Sequence, residues 1–174
     1  MAQLRNNLQQ TAMLYGTYKG VFWIAKFALF PLGFIFSPFA LFFILLTLVV
    51  PIIVFIMVRS FRERQCGGIL PFFPALAFSF QVYLFAAILT SVAHYIYFQF
   101  LDNGFIYNQV LTMLEQFNTD QSVNAQTEQL KHVVEVLYGL TPIQLTMQLL
   151  SQNIFYAIIF SLPIALVVMR KKVR

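Results

Sequence analysis

The sequence predicts an all-α integral membrane protein with four transmembrane helices and two short amphipathic helices in the loop between the third and fourth spans. Two observations lead to this fold class. Hydrophobic residues make up 60% of the 174 residues and charged residues only 10%, with a mean hydropathy of +0.77, a composition typical of chains that lie in lipid. In addition, four stretches are apolar over the about 20 residues that a helix needs to cross a hydrocarbon core of about 30 Å.

These four continuous stretches define the spans, and the whole chain, residues 1–174, is predicted to be a single membrane domain. Their continuity favours helices over the alternating strands of a barrel, because a helix satisfies its own backbone hydrogen bonds. The first stretch begins late, at Val21, and leads to Pro31 and Pro38 instead of a small-residue cleavage site, so we expect a retained span and not a signal peptide. The predicted spans are residues 16–36, 38–58, 74–100 and 145–169, preceded by a lead-in helix with Leu4, Leu8, Ala12 and Tyr15 at helical spacing.

The basic residues predict that both termini lie in the cytoplasm, because Lys and Arg near span ends are retained on that side of the membrane. The outer loop between spans three and four, residues 101–141, carries five acids and a single cation, Lys131. The other cations lie in the amino-terminal segment or first span, in the loop between spans two and three, and in the carboxyl-terminal tail. They are Arg5, Lys19, Lys26, Arg59, Arg62, Arg64, Arg170, Lys171, Lys172 and Arg174.

Two stripes of apolar residues at helical spacing predict the two amphipathic helices of the outer loop. Residues 118–124 are expected to form the turn between them. Thr141, Pro142 and Gln144 are the N-cap, the first-turn proline and the capping-box partner expected at the start of the fourth span. The stripes consist of Ile106, Val110, Leu114 and Phe117, and of Leu130, Val133, Val134 and Leu137.

Polar residues on neighbouring faces of the fourth span allow two interpretations. They either lie in first turns of the helix outside the hydrocarbon, or they line a wet cavity between helices, since polar groups in a membrane prefer the bundle interior. These residues are Gln144, Gln148, Ser151 and Gln152.

Lys26 is the most unusual residue of the apolar stretches, because it lies about ten residues, or about 15 Å of helix, from the outer end of the first span. A lysine near the middle of the membrane is costly. It can snorkel along the helix towards the inner headgroups, or it can belong to a cationic pocket for a lipid phosphate or for an acidic group of a partner subunit. The candidate contacts for anionic lipid headgroups or a partner are Lys19, Lys26, Arg59, Arg62 and Arg64.

Motifs for catalysis or ligand binding are nearly absent, so we predict no enzymatic activity, no cofactor and no nucleic-acid partner. Cys66 has no second cysteine to pair with and is expected to be a thiol at the inner interface. His132 shares a helix face with Glu128 and Glu135, and we favour a solvated face over a metal site because the spacing supplies no further ligands. His94 is expected at the outer membrane interface, with a ligand or proton-relay role as the alternative.

The loop between spans two and three carries the motif F-R-x-x-x-x-G-G from Phe61 to Gly68, and an aromatic run follows from Tyr95 to Phe105. In these features the chain resembles a family of small bacterial membrane proteins known only as a domain of unknown function, family 4199. The resemblance covers most of the chain and implies four helices, a bacterial inner-membrane location and no known enzymatic activity. Gly67 and Gly68 permit the positive φ values of a tight turn back into the membrane.

Two functions are compatible with the sequence. The basic inner loop and the 21 phenylalanines, which suit packing against another membrane protein, favour a non-enzymatic accessory or scaffolding subunit for a partner of envelope lipid or glycan assembly. Lys26 and the polar face of the fourth span favour instead a small oligomeric carrier or channel for an anionic or lipid-linked solute. The expected partners are therefore the lipid bilayer, anionic lipid headgroups, and another membrane protein or further copies of this chain.

Overall fold

The computed structural model of the protein describes residues 2–117 and 124–170, with side chains for residues 7–116 and 129–170. Over this part of the chain it consists of six α-helices, which confirms the predicted fold class. The side chains of Leu4, Arg5, Phe117 and Glu128, the predicted turn before Asn124, and the tail from Lys171 onward lie outside the described part. The helices are α1 (Ala2–Ile35), α2 (Ser37–Gln65), α3 (Phe72–Phe100), α4 (Phe105–Phe117), α5 (Asn124–Tyr138) and α6 (Pro142–Val168).

Four of these helices, α1, α2, α3 and α6, are long and apolar enough to cross a membrane. Their candidate spans have 27 to 29 residues, which corresponds to about 40–44 Å of helix against about 30 Å of hydrocarbon. The helices extend beyond the predicted spans because polar and basic residues continue the backbone hydrogen bonding outside the apolar stretch. Thus α2 runs to Gln65, past the predicted end at residue 58, and α6 starts at Pro142.

The chain forms two compact units. The spanning unit comprises Met1–Ser91 and Leu150–Arg174, and the loop unit comprises Val92–Leu149. The organisation as a single membrane domain stays a prediction.

α1 is one continuous helix of 34 residues, so the predicted lead-in helix and the first span form a single element. Its early turns already belong to the core of the spanning unit, where Leu8 and Ala12 are buried. A helix of this kind gains its stability from packing rather than from propensity.

α1 and α2 form an antiparallel helical hairpin that turns at Phe36, a residue with an extended backbone (φ −131°, ψ 108°). Gly33 allows the two helices to meet at the turn, since a Cβ there would lie only 3.0 Å from the Cα of Ala40. Towards the other end, the Thr11 hydroxyl donates to Oε1 of Gln65 at 2.9 Å. The hairpin is therefore closed over the full length of α2.

Gly16 and Gly20 bring α1 close to α3. A Cβ at Gly16 would lie 2.5 Å from the Cβ of Phe85, and one at Gly20 would lie 2.8 Å from a methyl group of Leu89. Two small residues four positions apart present a flat strip that lets helix backbones approach closely in a membrane. This close approach decides which side chains of α1 are sealed against α3.

An aromatic stack ties three helices together near the end of α2. The ring of Phe61 on α2 stacks on that of Phe78 on α3, with centroids 3.9 Å apart and planes 10° apart. Tyr15 on α1 meets Phe78 edge-on at 6.0 Å. Stacked and edge-on ring contacts of this kind stabilise the packing beyond what the burial of the rings contributes.

α2 ends at a turn in which Gly67 and Gly68 have positive φ values of 59° and 81°, a conformation that is unfavourable for residues with a side chain. Beyond the turn, Leu70 forms an isolated antiparallel bridge with Arg170. The Leu70 amide donates to the Arg170 carbonyl at 3.1 Å, and the Arg170 amide donates to the Leu70 carbonyl at 2.8 Å. The segments that follow α2 and α6 are thereby joined.

In the loop unit, α4 and α5 pack against each other, and the rings of Tyr107 and Tyr138 stack with centroids 3.9 Å apart. The predicted capping box is confirmed. The Thr141 amide donates to Oε1 of Gln144 at 2.9 Å, and the Gln144 amide donates to the Thr141 hydroxyl at 3.4 Å. This exchange satisfies amide groups that the first turn of α6 leaves without helical partners.

Candidate functional site: basic side chains of the spanning unit

Lys19 lies in the interior of the spanning unit. It is 1% exposed, and its Nζ atom lies 3.3 Å from the centroid of the Trp23 ring and 3.7 Å from that of Tyr83. Trp23 is one helical turn further along α1, whereas Tyr83 belongs to α3 and reaches Lys19 because the two glycines bring these helices together. We call Lys19, Trp23 and Tyr83 the lysine cage.

The cage holds the lysine by aromatic faces and not by hydrogen bonds. Among the described residues, Nζ of Lys19, Nε1 of Trp23 and the hydroxyl of Tyr83 have no hydrogen-bond partner. An aromatic face attracts a cation by about 2 kcal/mol when water is excluded. The apolar parts of α1, α2, α3 and α6 contain no Asp or Glu, so the chain itself supplies no opposite charge at this depth. Lys19 is thus enclosed by its own cage in this conformation, and its contact with a headgroup or partner stays a prediction.

Lys26, seven residues further along α1, is half-buried and contacts α2. Its Nζ atom donates to the Thr47 hydroxyl at 3.1 Å and lies 4.8 Å from the centroid of the Phe43 ring. The Thr47 hydroxyl donates in turn to the carbonyl of Phe43 at 2.7 Å. An ammonium group has three donors, so this contact leaves Lys26 with capacity for a further acceptor.

Arg62 is buried, with 5% exposure, and links the end of α2 to the end of α6. Its Nη1 atom donates to the carbonyl of Val168 at 2.6 Å, one of the final carbonyls of α6, which have no helical partner. Its Nε atom donates to Oε1 of Glu63 at 3.1 Å, and Nη2 donates to the same oxygen. Arg62 is thus engaged within the protein, and a role in binding lipid or a partner stays a prediction for it.

Three other arginines at this junction are exposed, namely Arg59, Arg64 and Arg170. Arg59 and Arg170 lie close enough to Glu63 for their charges to act on its carboxylate, as that of Arg62 does. Arg62 already binds this carboxylate through two donors, and one carboxylate neutralises one guanidinium. The positive charges of Arg59 and Arg170 are therefore not neutralised by Glu63 and remain at the protein surface.

The cysteine and histidines that the sequence singled out do not form a metal site within the described part of the chain. Cys66 is half-buried after the end of α2, and burial raises the pKa of its thiol, which keeps it protonated at neutral pH. Among the side chains that the structure describes, no three of His, Cys, Asp or Glu lie together as metal ligands do. His132 and Glu135 are exposed, and His94 is buried in contact with the ring of Phe98, at 6.5 Å between centroids.

Several residues of these basic sites, among them Trp23, Tyr83, Thr47, Phe43 and Arg170, were not among the candidate contacts predicted from the sequence. Trp23 is the single tryptophan of the chain and lies four residues after Lys19, a spacing that could have signalled a contact on one helix face. Tyr83, Thr47 and Arg170 come from other segments, and their contacts with the basic groups depend on how the helices pack.

The helices and their charges define the class: a multi-pass membrane protein whose spanning unit contains two lysines within its apolar helices and a basic junction at the ends of α2 and α6. Over residues 14–170 the chain matches the family described as "Protein of unknown function (DUF4199)", and it belongs to that family. This match confirms the resemblance inferred from the loop motif, and it includes the lysine cage and the junction. No curated protein and no solved structure shows significant similarity to the chain.

Proposed function

We propose that the protein is a non-enzymatic accessory or scaffolding subunit that assembles with another membrane protein through Lys26. The supporting observation is the incomplete coordination of this lysine. Lys26 lies ten residues, or about 15 Å of helix, from the hairpin turn at Phe36, and its described hydrogen bond goes to one hydroxyl, that of Thr47. The apolar parts of its own helices contain no Asp or Glu, so a carboxylate that pairs with Lys26 inside the membrane would come from another molecule.

A carboxylate within a span of the partner is the group that fits this position. Opposite charges attract far more strongly in a medium of low dielectric constant than in water, and ionisable groups inside membranes pair with one another. On this proposal the partner belongs to envelope lipid or glycan assembly, and the complex lies in the bacterial inner membrane with both termini of this chain in the cytoplasm.

Site-specific photocrosslinking in intact cells tests the assembly. Leu48 follows Thr47 and is 65% exposed, whereas Val167 on α6 is 69% exposed and serves as the control position. With a photoreactive residue at position 48, we expect a discrete crosslinked product that disappears with Lys26→Met and persists with Lys26→Arg. A product from position 167 alone, or one from position 48 that Lys26→Met leaves unchanged, contradicts the proposal.

The orientation has its own test, by labelling of single cysteines with a membrane-impermeant maleimide. In a Cys66→Ser background, cysteine replaces either Gln65 or Thr112, both of which are exposed. In whole cells whose outer membrane alone has been permeabilised, we expect the maleimide to label the cysteine at position 112 and not the one at position 65. The cysteine at position 65 should be labelled only after the inner membrane is also opened. The reverse pattern contradicts cytoplasmic termini.

A small oligomeric carrier or channel for an anionic or lipid-linked solute is the second candidate. It is supported by Lys26 together with the polar residues of α6, since Gln148, Ser151 and Gln152 are exposed on that helix and can line a path between copies of the chain. Purified protein in liposomes is then expected to move an anion, and Lys26→Met is expected to abolish that flux. Absence of flux from both forms rules this candidate out.

A further inference from the structure

The junction at the ends of α2 and α6 carries positive charge that the pairing through Lys26 does not use. We infer that Arg59 and Arg170 form a binding site for the phosphate group of an anionic lipid. The site is separate from Lys26. Lys26 lies ten residues before the hairpin turn at Phe36, whereas Arg59 lies 23 residues after that turn, nearer the other end of the hairpin.

The first argument is the fixed position of Arg170. Its backbone amide and carbonyl both bond to Leu70, and Arg62 binds the carbonyl of Val168 two residues earlier. The backbone that carries the Arg170 side chain is therefore held in place before any ligand arrives, which lowers the entropy that binding has to remove.

The second argument is the balance of charge. Glu63 is the acid at the junction, and Arg62 engages it through Nε and Nη2. Arg59 and Arg170 also act on Glu63, yet one carboxylate balances one guanidinium. Two exposed arginines with unbalanced charge suit a phosphate group. The planar guanidinium can donate two hydrogen bonds to one phosphate, which favours arginine over lysine at such a site.

The third argument is depth. From Ser37 to Arg59 the helix rises about 33 Å, close to the about 30 Å of a hydrocarbon core, and Arg170 follows two residues after the end of α6. Both side chains thus reach the level at which lipid phosphates lie, so a lipid is a better fit than a soluble phosphate compound.

The chain provides a matched control in Arg64. It is exposed on the same end of α2 and has the same charge, but it lies five residues after Arg59, about 140° around the helix, whereas Glu63 lies four residues after Arg59 and shares its face. A general attraction between basic residues and an anionic surface would involve Arg64 equally. A built site would not.

The test is binding of phosphatidylglycerol to the purified full chain in detergent, measured by native mass spectrometry with phosphatidylcholine as the reference lipid. We expect Arg59→Gln and Arg170→Gln each to weaken phosphatidylglycerol binding about fivefold, the effect of one interfacial basic residue, and Arg64→Gln to weaken it less than about twofold. Arg170→Gln leaves the bridge to Leu70 intact because that bridge is made by the backbone. Thermal unfolding confirms that each variant is folded.

Equal losses for all three variants overturn the site, because they show only a general attraction to anionic lipid. Displacement of phosphatidylglycerol by millimolar inorganic phosphate overturns the assignment to a lipid and leaves a site for free phosphate. Binding of an acidic peptide with no preference for phosphatidylglycerol overturns both. Failure of the Lys26 crosslink has no bearing on this result, since the two sites are tested by different variants.

Discussion

Lys19 and Lys26 lie seven residues apart on the same helix, yet the structure treats them in opposite ways. Lys19 is enclosed between Trp23 and Tyr83 and is 1% exposed. Lys26 is only half-buried, and its amino group donates a hydrogen bond to the hydroxyl of Thr47 on α2. Their separation of two turns gives them nearly the same face of α1.

The difference comes from the neighbouring helix and not from the lysines. Near Lys19, two glycines draw α3 close enough for a tyrosine ring to cover the amino group. Near Lys26, the neighbour is α2, which offers Thr47 and the ring of Phe43. The same residue type is thus a core residue in one place and an available donor in the other.

The largest expected effect comes from separating α1 and α3 with Gly16→Leu. The added side chain meets the Cβ of Phe85 and the backbone of Val82, so we expect a loss of about 3 kcal/mol of stability, at the upper end of overpacking effects. The measurement is thermal unfolding in detergent, with quenching of Trp23 fluorescence by acrylamide as the readout for the cage. Thr17→Leu, at an exposed position on the same turn, is the control, and an equal loss from both variants shows that the cage does not depend on the glycines.

Lys19→Met is expected to stabilise the isolated protein by about 1 kcal/mol, since an apolar residue of similar length often replaces a buried charge at no cost or with a gain. Thermal unfolding of the variant against the parent chain in the same detergent decides the sign. A lower unfolding temperature means that attraction by the two rings outweighs the loss of hydration. Lys19 would then be a net stabilising residue.

Tyr83→Phe has a smaller expected effect, a stabilisation of less than about 1 kcal/mol, because the buried hydroxyl has no hydrogen-bond partner among the described residues and its removal relieves the cost of keeping it out of water. The ring and the cage are retained. Tyr83→Leu, which removes the ring, is expected to shift the acrylamide quenching of Trp23. If Tyr83→Phe alone opens the cage to acrylamide, the hydroxyl has a role that the ring contacts do not explain.

The smallest effect is expected for Lys26→Met on the isolated protein, a loss of about 0.5 kcal/mol, the lower end of the net value of one hydrogen bond. Thr47→Val is expected to cost more than Lys26→Met in the same unfolding experiment, because it leaves the charged amino group of Lys26 without this acceptor. A loss of stability as large as that of Gly16→Leu would place Lys26 in the core and end the contrast between the two lysines.

Much of the fold could be predicted from the sequence, because lipid imposes a strict relation between apolar length and helix. The four spans, both amphipathic helices and the capping box at Thr141 followed from apolar runs, stripes and turn residues. The ends of the helices did not, since a run of apolar residues says where lipid begins and not where backbone hydrogen bonding stops. This is why α2 continues through Arg59 to Gln65.

The sequence singled out the basic residues but could not distinguish their surroundings, and their role as lipid or partner contacts stays a prediction. Lys19, Lys26 and Arg62 all looked available, because their surroundings are set by contacts between segments far apart in the chain. The bond from Arg62 to Val168 spans 106 positions, a distance at which no local pattern carries information. Arg170 was assigned to the tail for the same reason.

The bridge between Leu70 and Arg170 also has a consequence for the order of events during synthesis. Its two residues are 100 positions apart, so at about 5–20 residues per second Leu70 is made about 5–20 s before its partner. For that interval the buried guanidinium of Arg62 lacks the carbonyl of Val168, and the turn after α2 has nothing to pair with. The junction is therefore the last part of the spanning unit to form. Until α6 is synthesised and inserted, α1, α2 and α3 lack the bond from Arg62 to Val168 and the bridge from Leu70 to Arg170.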